Sequence, residues 1–251
     1  MVLKTDQRLA LLALLSCWIL FLLTPFIFSY DMGEILKNVE THTDINEYRL
    51  VNIIFFTFLW ITYSNLIDEI FPARIKIIFS LELAVLVTTI GRVFLYDNYI
   101  EAELFLSGVL AILIMRSGAF KVMRPYKLTA IILAVAMFYN SLYPFEFFES
   151  PFKVFNWVPF SELFSSNILS TVRTVFYKIF IYGSILWNFY KGFPNTRYIT
   201  IMCVIYACTI EYFQHMTFAR IGGLTEPFIV FCVSIFIEQK KELKEKFQLY
   251  D

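Results

Sequence analysis

"LALLALLSCWILFLLTPFIF", residues 9–28, carries no charged side chain. A helix rises 1.5 Å per residue, so about 20 apolar residues cross the roughly 30 Å of bilayer hydrocarbon. Lys4 and Arg8 precede the stretch. No small-residue cleavage pattern stands before Ser29-Tyr30-Asp31, so the stretch reads as an uncleaved first span. Seven further apolar stretches follow, at about Leu50–Ile67, Ile75–Leu95, Ala102–Met115, Leu128–Tyr143, Ile168–Phe189, Tyr198–Met216 and Leu224–Glu238. A lipid-facing backbone must satisfy its own hydrogen bonds, which favours helices. A β-barrel would instead alternate apolar and polar positions over about ten residues, and these stretches do not. The expected fold is therefore all-α, a polytopic transmembrane helical bundle of about eight spans.

Composition agrees. Only 17% of the 251 residues are charged, against about 25% in ordinary soluble domains, and 59% are hydrophobic. Lys+Arg and Asp+Glu both number 21, and no basic run offers a nucleic-acid footprint. The cysteines, Cys17, Cys203, Cys208 and Cys232, lie in apolar stretches without a Cys-x-x-Cys pair. With His42 and His215 as the only histidines, a metal site of the usual zinc type is not expected, nor any other cofactor.

Lys and Arg orient the spans. With eight spans, fourteen of them fall on the side that holds both termini and five on the other, while Arg173 and Lys178 lie inside the sixth span. Both ends are expected to be cytoplasmic. The lysines of the tail "EQKKELKEKFQLYD" (238–251) then face anionic lipid head groups. The connection from Tyr143 to Phe164, rich in Phe and broken by Pro144, Pro151 and Pro159, is expected on the outer face, in the interface plane.

Ionisable residues at membrane depth are costly unless paired or hydrated, so each is a functional candidate. Arg173 and Glu211 both lie about 8 Å below the outer end of their spans, and sequential helices tend to be neighbours, so a salt bridge between them is expected. Lys178 and Glu82 lie at different depths and are not expected to pair. Gln214 and His215 share a face with Glu211. Arg220 follows in the outer turn, Gly222-Gly223 lets the backbone bend, and Glu226-Pro227 suits a helix's first turn. Glu211, Gln214, Arg220, Arg173 and Glu226 are thus expected to gather at the outer ends of spans six to eight. The cluster can be read as a binding site or as a polar clasp between helices.

Glu211-x-x-Gln214, then Arg220 and Glu226, resembles the pattern of the VanZ-like family of integral membrane proteins, named for a teicoplanin-resistance protein. "YPFEF" (143–147) and "NWVPF" (156–160) are similar to that family's Pro-Phe segments. The resemblance covers about residues 128–238. It divides the chain into an N-terminal four-helix region, 1–127, without a known motif, and a VanZ-like region, 128–251. Gly223 stands at the family's first acidic position, Glu226 replaces the second, and Val230 replaces an Asn. The resemblance implies a bacterial inner-membrane setting and a cell-envelope role.

On this reading Arg220 and Arg173 would hold a phosphate or carboxylate of an amphiphilic, lipid-linked or glycopeptide ligand. Glu211 would be the candidate general base, oriented by Gln214, with Glu226 completing the site. No serine or cysteine nucleophile with a paired base is visible. The alternatives are a structural or partner-binding membrane subunit, a small-solute transporter and an intramembrane protease. Membrane lipids are the expected partners.

Overall fold

The computed structural model describes residues 5–24, 31, 47–72, 76, 78–95, 101–117, 125–147, 155–161, 168–193, 197–217 and 222–248. These fold as α1 (Thr5–Leu23), α2 (Glu47–Ile70), α3 (Leu81–Val93), α4 (Ala102–Arg116), α5 (Tyr126–Leu142), α6 (Ile168–Gly192), α7 (Arg197–His215) and α8 (Thr225–Gln248). The described residues contain no β-strand, and the fold is all-α. Each helix falls on one of the eight apolar stretches.

Two helix ends depart from expectation. α1 stops five residues before Phe28. Thr24 closes the last turn through its hydroxyl onto the Leu20 carbonyl, at 2.5 Å, and stands before a proline, a position that disfavours helical backbone. α3 begins at Leu81 rather than Ile75, because the Ser80 hydroxyl caps it by accepting the Leu83 N–H at 3.3 Å.

α6 runs through the middle, packed against α1, α5 and α8, while α2 packs against α4 and α5. One apolar core therefore joins the N-terminal and C-terminal regions. At its centre the Trp18 ring stacks on Phe180 (4.6 Å) and meets Trp60 edge-on (5.3 Å). Buried polar side chains tie helices together. Asn188 donates to the Thr62 hydroxyl (3.0 Å) across α6 and α2, and Tyr206 donates to the Ala134 carbonyl (2.5 Å) across α7 and α5. Where water is scarce, such bonds hold apolar helices in register.

Sequential helices alternate in direction. One end gathers Lys191 with Glu69, Lys76 with Asp68 (2.8 Å), and Arg116 with Glu82 (3.3 Å). The opposite end gathers the C-termini of α1 and α3 and the N-termini of α4 and α6, through Leu22, Arg92, Glu101 and Arg173.

The outward faces are apolar too. Leu113, Val135 and Met202 are each at least 60% exposed, and exposed Leu, Ile, Val and Phe recur at helical spacing along α3, α4, α7 and α8. Among the described residues one helix segment, Leu50–Ile70, is long and apolar enough to cross a membrane. Arg8–Leu23, Tyr126–Leu142 and Thr225–Ile237 are shorter apolar helices.

Candidate functional site

The α7–α8 turn is built by Glu211. Its Oε2 accepts the Gly223 N–H at 2.7 Å, and the Glu226 backbone N–H also faces the carboxylate. A buried carboxylate near the end of α7 thus takes up a donor of the turn and faces one of the donors that the first turn of the next helix would leave orphaned. Gly222 lies directly on the last turn of α7. A Cβ there would strike the Glu211 carbonyl oxygen and come within 2.8 Å of the His215 Cβ and 3.1 Å of its backbone nitrogen. Gly222→Ala is expected to lower stability by about 1–3 kcal/mol, since backbone cannot step aside as a side chain can. Thermal unfolding in detergent checks this.

Both Pro-Phe segments dock on this turn. The Asn156 N–H donates to the Gly222 carbonyl (2.9 Å), and the Leu224 N–H donates to the Asn156 carbonyl (3.1 Å). The Phe160 N–H donates to the Thr225 hydroxyl (3.1 Å), and Phe147 bridges to Thr217. Phe155 meets His215 edge-on. Gln214 Nε2 donates to the Ser141 carbonyl at 3.3 Å, tying α7 to the end of α5.

Glu226 occupies the first turn of α8 and is buried. Its Oε1 lies 2.8 Å from Lys178 Nζ, and its Oε2 accepts the Tyr182 hydroxyl. Lys178 and Tyr182 are four residues apart on α6 and so share a face.

A second ion cluster centres on Glu101, just before α4. The same oxygen, Oε1, lies 3.3 Å from Arg92 Nη1 and 3.5 Å from Arg173 Nη2. The Arg92 guanidinium is buried and also donates through Nε to the Leu22 carbonyl (3.1 Å). Arg173 lies over the Phe21 ring at 5.3 Å.

A cavity of about 410 Å³ lies between the two clusters. α2 contributes Asn52, Phe55 and Phe56; the start of α4 contributes Glu101 and Glu103; α5 contributes Met137, Asn140 and Ser141. Tyr177, Lys178 and Ile181 of α6 and Glu226 of α8 complete the wall. All of these belong to the bundle end opposite the Lys191–Glu69 pair. Among the described residues no cluster of three His, Cys, Asp or Glu could hold a metal ion.

Of the residues picked out from sequence, Glu211, Gln214 and Glu226 come together around the turn. Arg220 lies outside the described residues. The expected Arg173–Glu211 salt bridge is corrected to Arg173–Glu101, because α8 packs between α6 and α7 and takes the place beside α6 that sequence order gave to α7. Glu82 pairs with Arg116, away from Lys178 as expected. Sequence reasoning left Tyr182, Glu101, Arg92 and Asn52 out of the site and gave Lys178 no partner. The Lys178-x-x-x-Tyr182 spacing on an otherwise apolar helix was the available signal. No protein-family model, no curated protein and no solved structure matches the chain.

Proposed function

We propose that the chain is an eight-span protein of the bacterial inner membrane, both termini cytoplasmic, whose outer-leaflet cavity receives the polar head of an amphiphilic, lipid-linked ligand. The observation that carries this reading is the cavity itself. It is partly open, walled by five helices, and lined by apolar side chains together with polar and charged ones, at the bundle end to which few Lys and Arg belong. The apolar outward faces support the membrane setting, since soluble monomers rarely expose apolar patches larger than a few hundred Å². Helices of 13 to 19 residues such as α3, α4 and α7 suit a bilayer that thins locally around them.

We read the chain further as a divergent VanZ-like protein with a cell-envelope role. What supports this is that Glu211, Gln214, Glu226 and both Pro-Phe segments meet at one turn. In this reading Glu211 fixes the turn that presents Glu226 to the cavity, and Lys178 takes the ligand-facing place first given to Arg173. The clasp reading has its own support, because Lys178 and Glu226 satisfy each other and Glu211 is satisfied by the turn.

Native mass spectrometry of protein extracted in gentle detergent separates the two. Ser141→Phe places a ring in the cavity and leaves every ion pair and the Ser141 carbonyl intact. A defined amphiphile is expected on wild type and lost from the variant at equal melting temperature. Wild type carrying no specific adduct would leave the clasp.

A further inference from the structure

We infer that the head group this cavity takes is a neutral polyhydroxylated one, a sugar, rather than a phosphate or an ammonium; the inference rests on the amphiphile-binding reading above. Charge comes first. Three carboxylates line the wall, Glu101, Glu103 and Glu226, against one cation, Lys178. That cation is already committed to Glu226 at 2.8 Å. With Arg92 and Arg173 behind Glu101, the three carboxylates are matched by three cations already paired, so a phosphate entering here would meet no excess positive charge and would have to break a buried ion pair.

An ammonium fares little better. The Glu101 carboxylate is held from behind by two guanidiniums, and Glu226 by Lys178 and the Tyr182 hydroxyl. The fields of these carboxylates are largely cancelled before a ligand arrives, so they attract a full positive charge weakly. They keep their lone pairs. Both arginines make their nearest approach to Glu101 at Oε1, and its side chain is 42% exposed, so the carboxylate still offers lone pairs to a ligand's hydroxyls.

The rest of the wall fits hydroxyls. Each sugar hydroxyl both donates and accepts. Asn52, Asn140 and Ser141 also do both, and a planar amide can engage two adjacent hydroxyls at once. The half-buried Tyr177 ring supplies apolar surface for the C–H face of a sugar ring, with the buried Phe56 ring behind it. The volume of about 410 Å³ falls within the roughly 300–1,000 Å³ of small-molecule sites. Of the positively charged groups, Arg92 and Arg173 stand behind the wall and Lys178, in it, is held by Glu226, as suits a ligand recognised by its hydroxyls.

The test uses the full chain in a detergent without a sugar head, since a glycoside detergent would itself compete. Native mass spectrometry is run with an equimolar mixture of monoglucosyl diacylglycerol, phosphatidylglycerol and phosphatidylethanolamine. The glucolipid is expected to be retained preferentially. Asn52→Leu is expected to weaken that retention about tenfold, the effect of losing an amide's hydrogen bonds. Ser141→Ala, a smaller change, should weaken it severalfold, which keeps the test open if Asn52→Leu folds poorly. Methyl β-glucoside is then added. Displacement at millimolar concentration identifies a free-sugar site, and resistance identifies a lipid-anchored one; either upholds the chemistry. Preference for either phospholipid, or equal retention by both variants, overturns the sugar inference and leaves amphiphile binding standing. Retention of no lipid at all sinks the amphiphile reading itself.

Discussion

Lys178→Met is expected to destabilise the protein by about 3–5 kcal/mol, read as a lowered melting temperature in detergent. The cause is what the change leaves behind. The Glu226 side chain is 4% exposed, and Lys178 is the cation on its Oε1. Without it the carboxylate stays buried, with the Tyr182 hydroxyl and no counter-charge. Met conserves length and apolar bulk, so lost packing contributes little. The double variant Lys178→Met/Glu226→Gln is expected to recover most of the loss, because a neutral amide can still accept the Tyr182 hydroxyl. A double variant that melts no higher than the single one would show that this ion pair is not what fastens α6 to α8.

Helix positions were legible because run length alone sets them: eight apolar stretches became eight described helices, and their alternation was read from where Lys and Arg fall. The ends were less legible. Ser80 as a cap and Thr24 before a proline are single-residue effects, easily outvoted by apolar neighbours on either side. The site was half legible. Glu211, Gln214 and Glu226 are close in sequence, and a hairpin of helices had to bring them together. Lys178 lies well inside the sixth span and Glu226 opens the eighth, yet they pair. The α7–α8 turn folds inward onto Asn156, so α8 starts beside the third turn of α6 rather than above it. Glu101 was passed over because "LYDNYIEAE" (95–103) reads as an ordinary polar connection. Arg92 stands near the outer end of the third apolar stretch with nothing in the sequence to mark it, although its guanidinium is buried against the end of α1. Depth along one helix cannot reveal which neighbour fills the space beside it; that depends on packing order, and α8 took the place expected for α7.

Glu101→Gln should cost nearly as much as Lys178→Met, about 3–5 kcal/mol, for a different reason. Its Oε1 serves two guanidiniums, and one of them, Arg92, is 1% exposed. A neutral amide oxygen keeps the shape and leaves that buried cation uncompensated. The two arginines are not equal partners. Arg173 has a side chain 28% exposed and rests on the Phe21 ring, so its head can turn toward water or lipid head groups when the carboxylate is lost. Arg173→Met should therefore cost no more than about 1 kcal/mol, in the range of exposed pairs. Melting curves of the two variants side by side decide the matter. Equal losses would mean that Arg173, not Arg92, makes Glu101 indispensable, and the anchor of this cluster would move from α3 to α6. A large loss for Glu101→Gln alone places the anchor at Arg92. The end of α1, the end of α3 and the start of α4 would then be fastened at one buried guanidinium, which holds in place the Glu101 wall of the cavity.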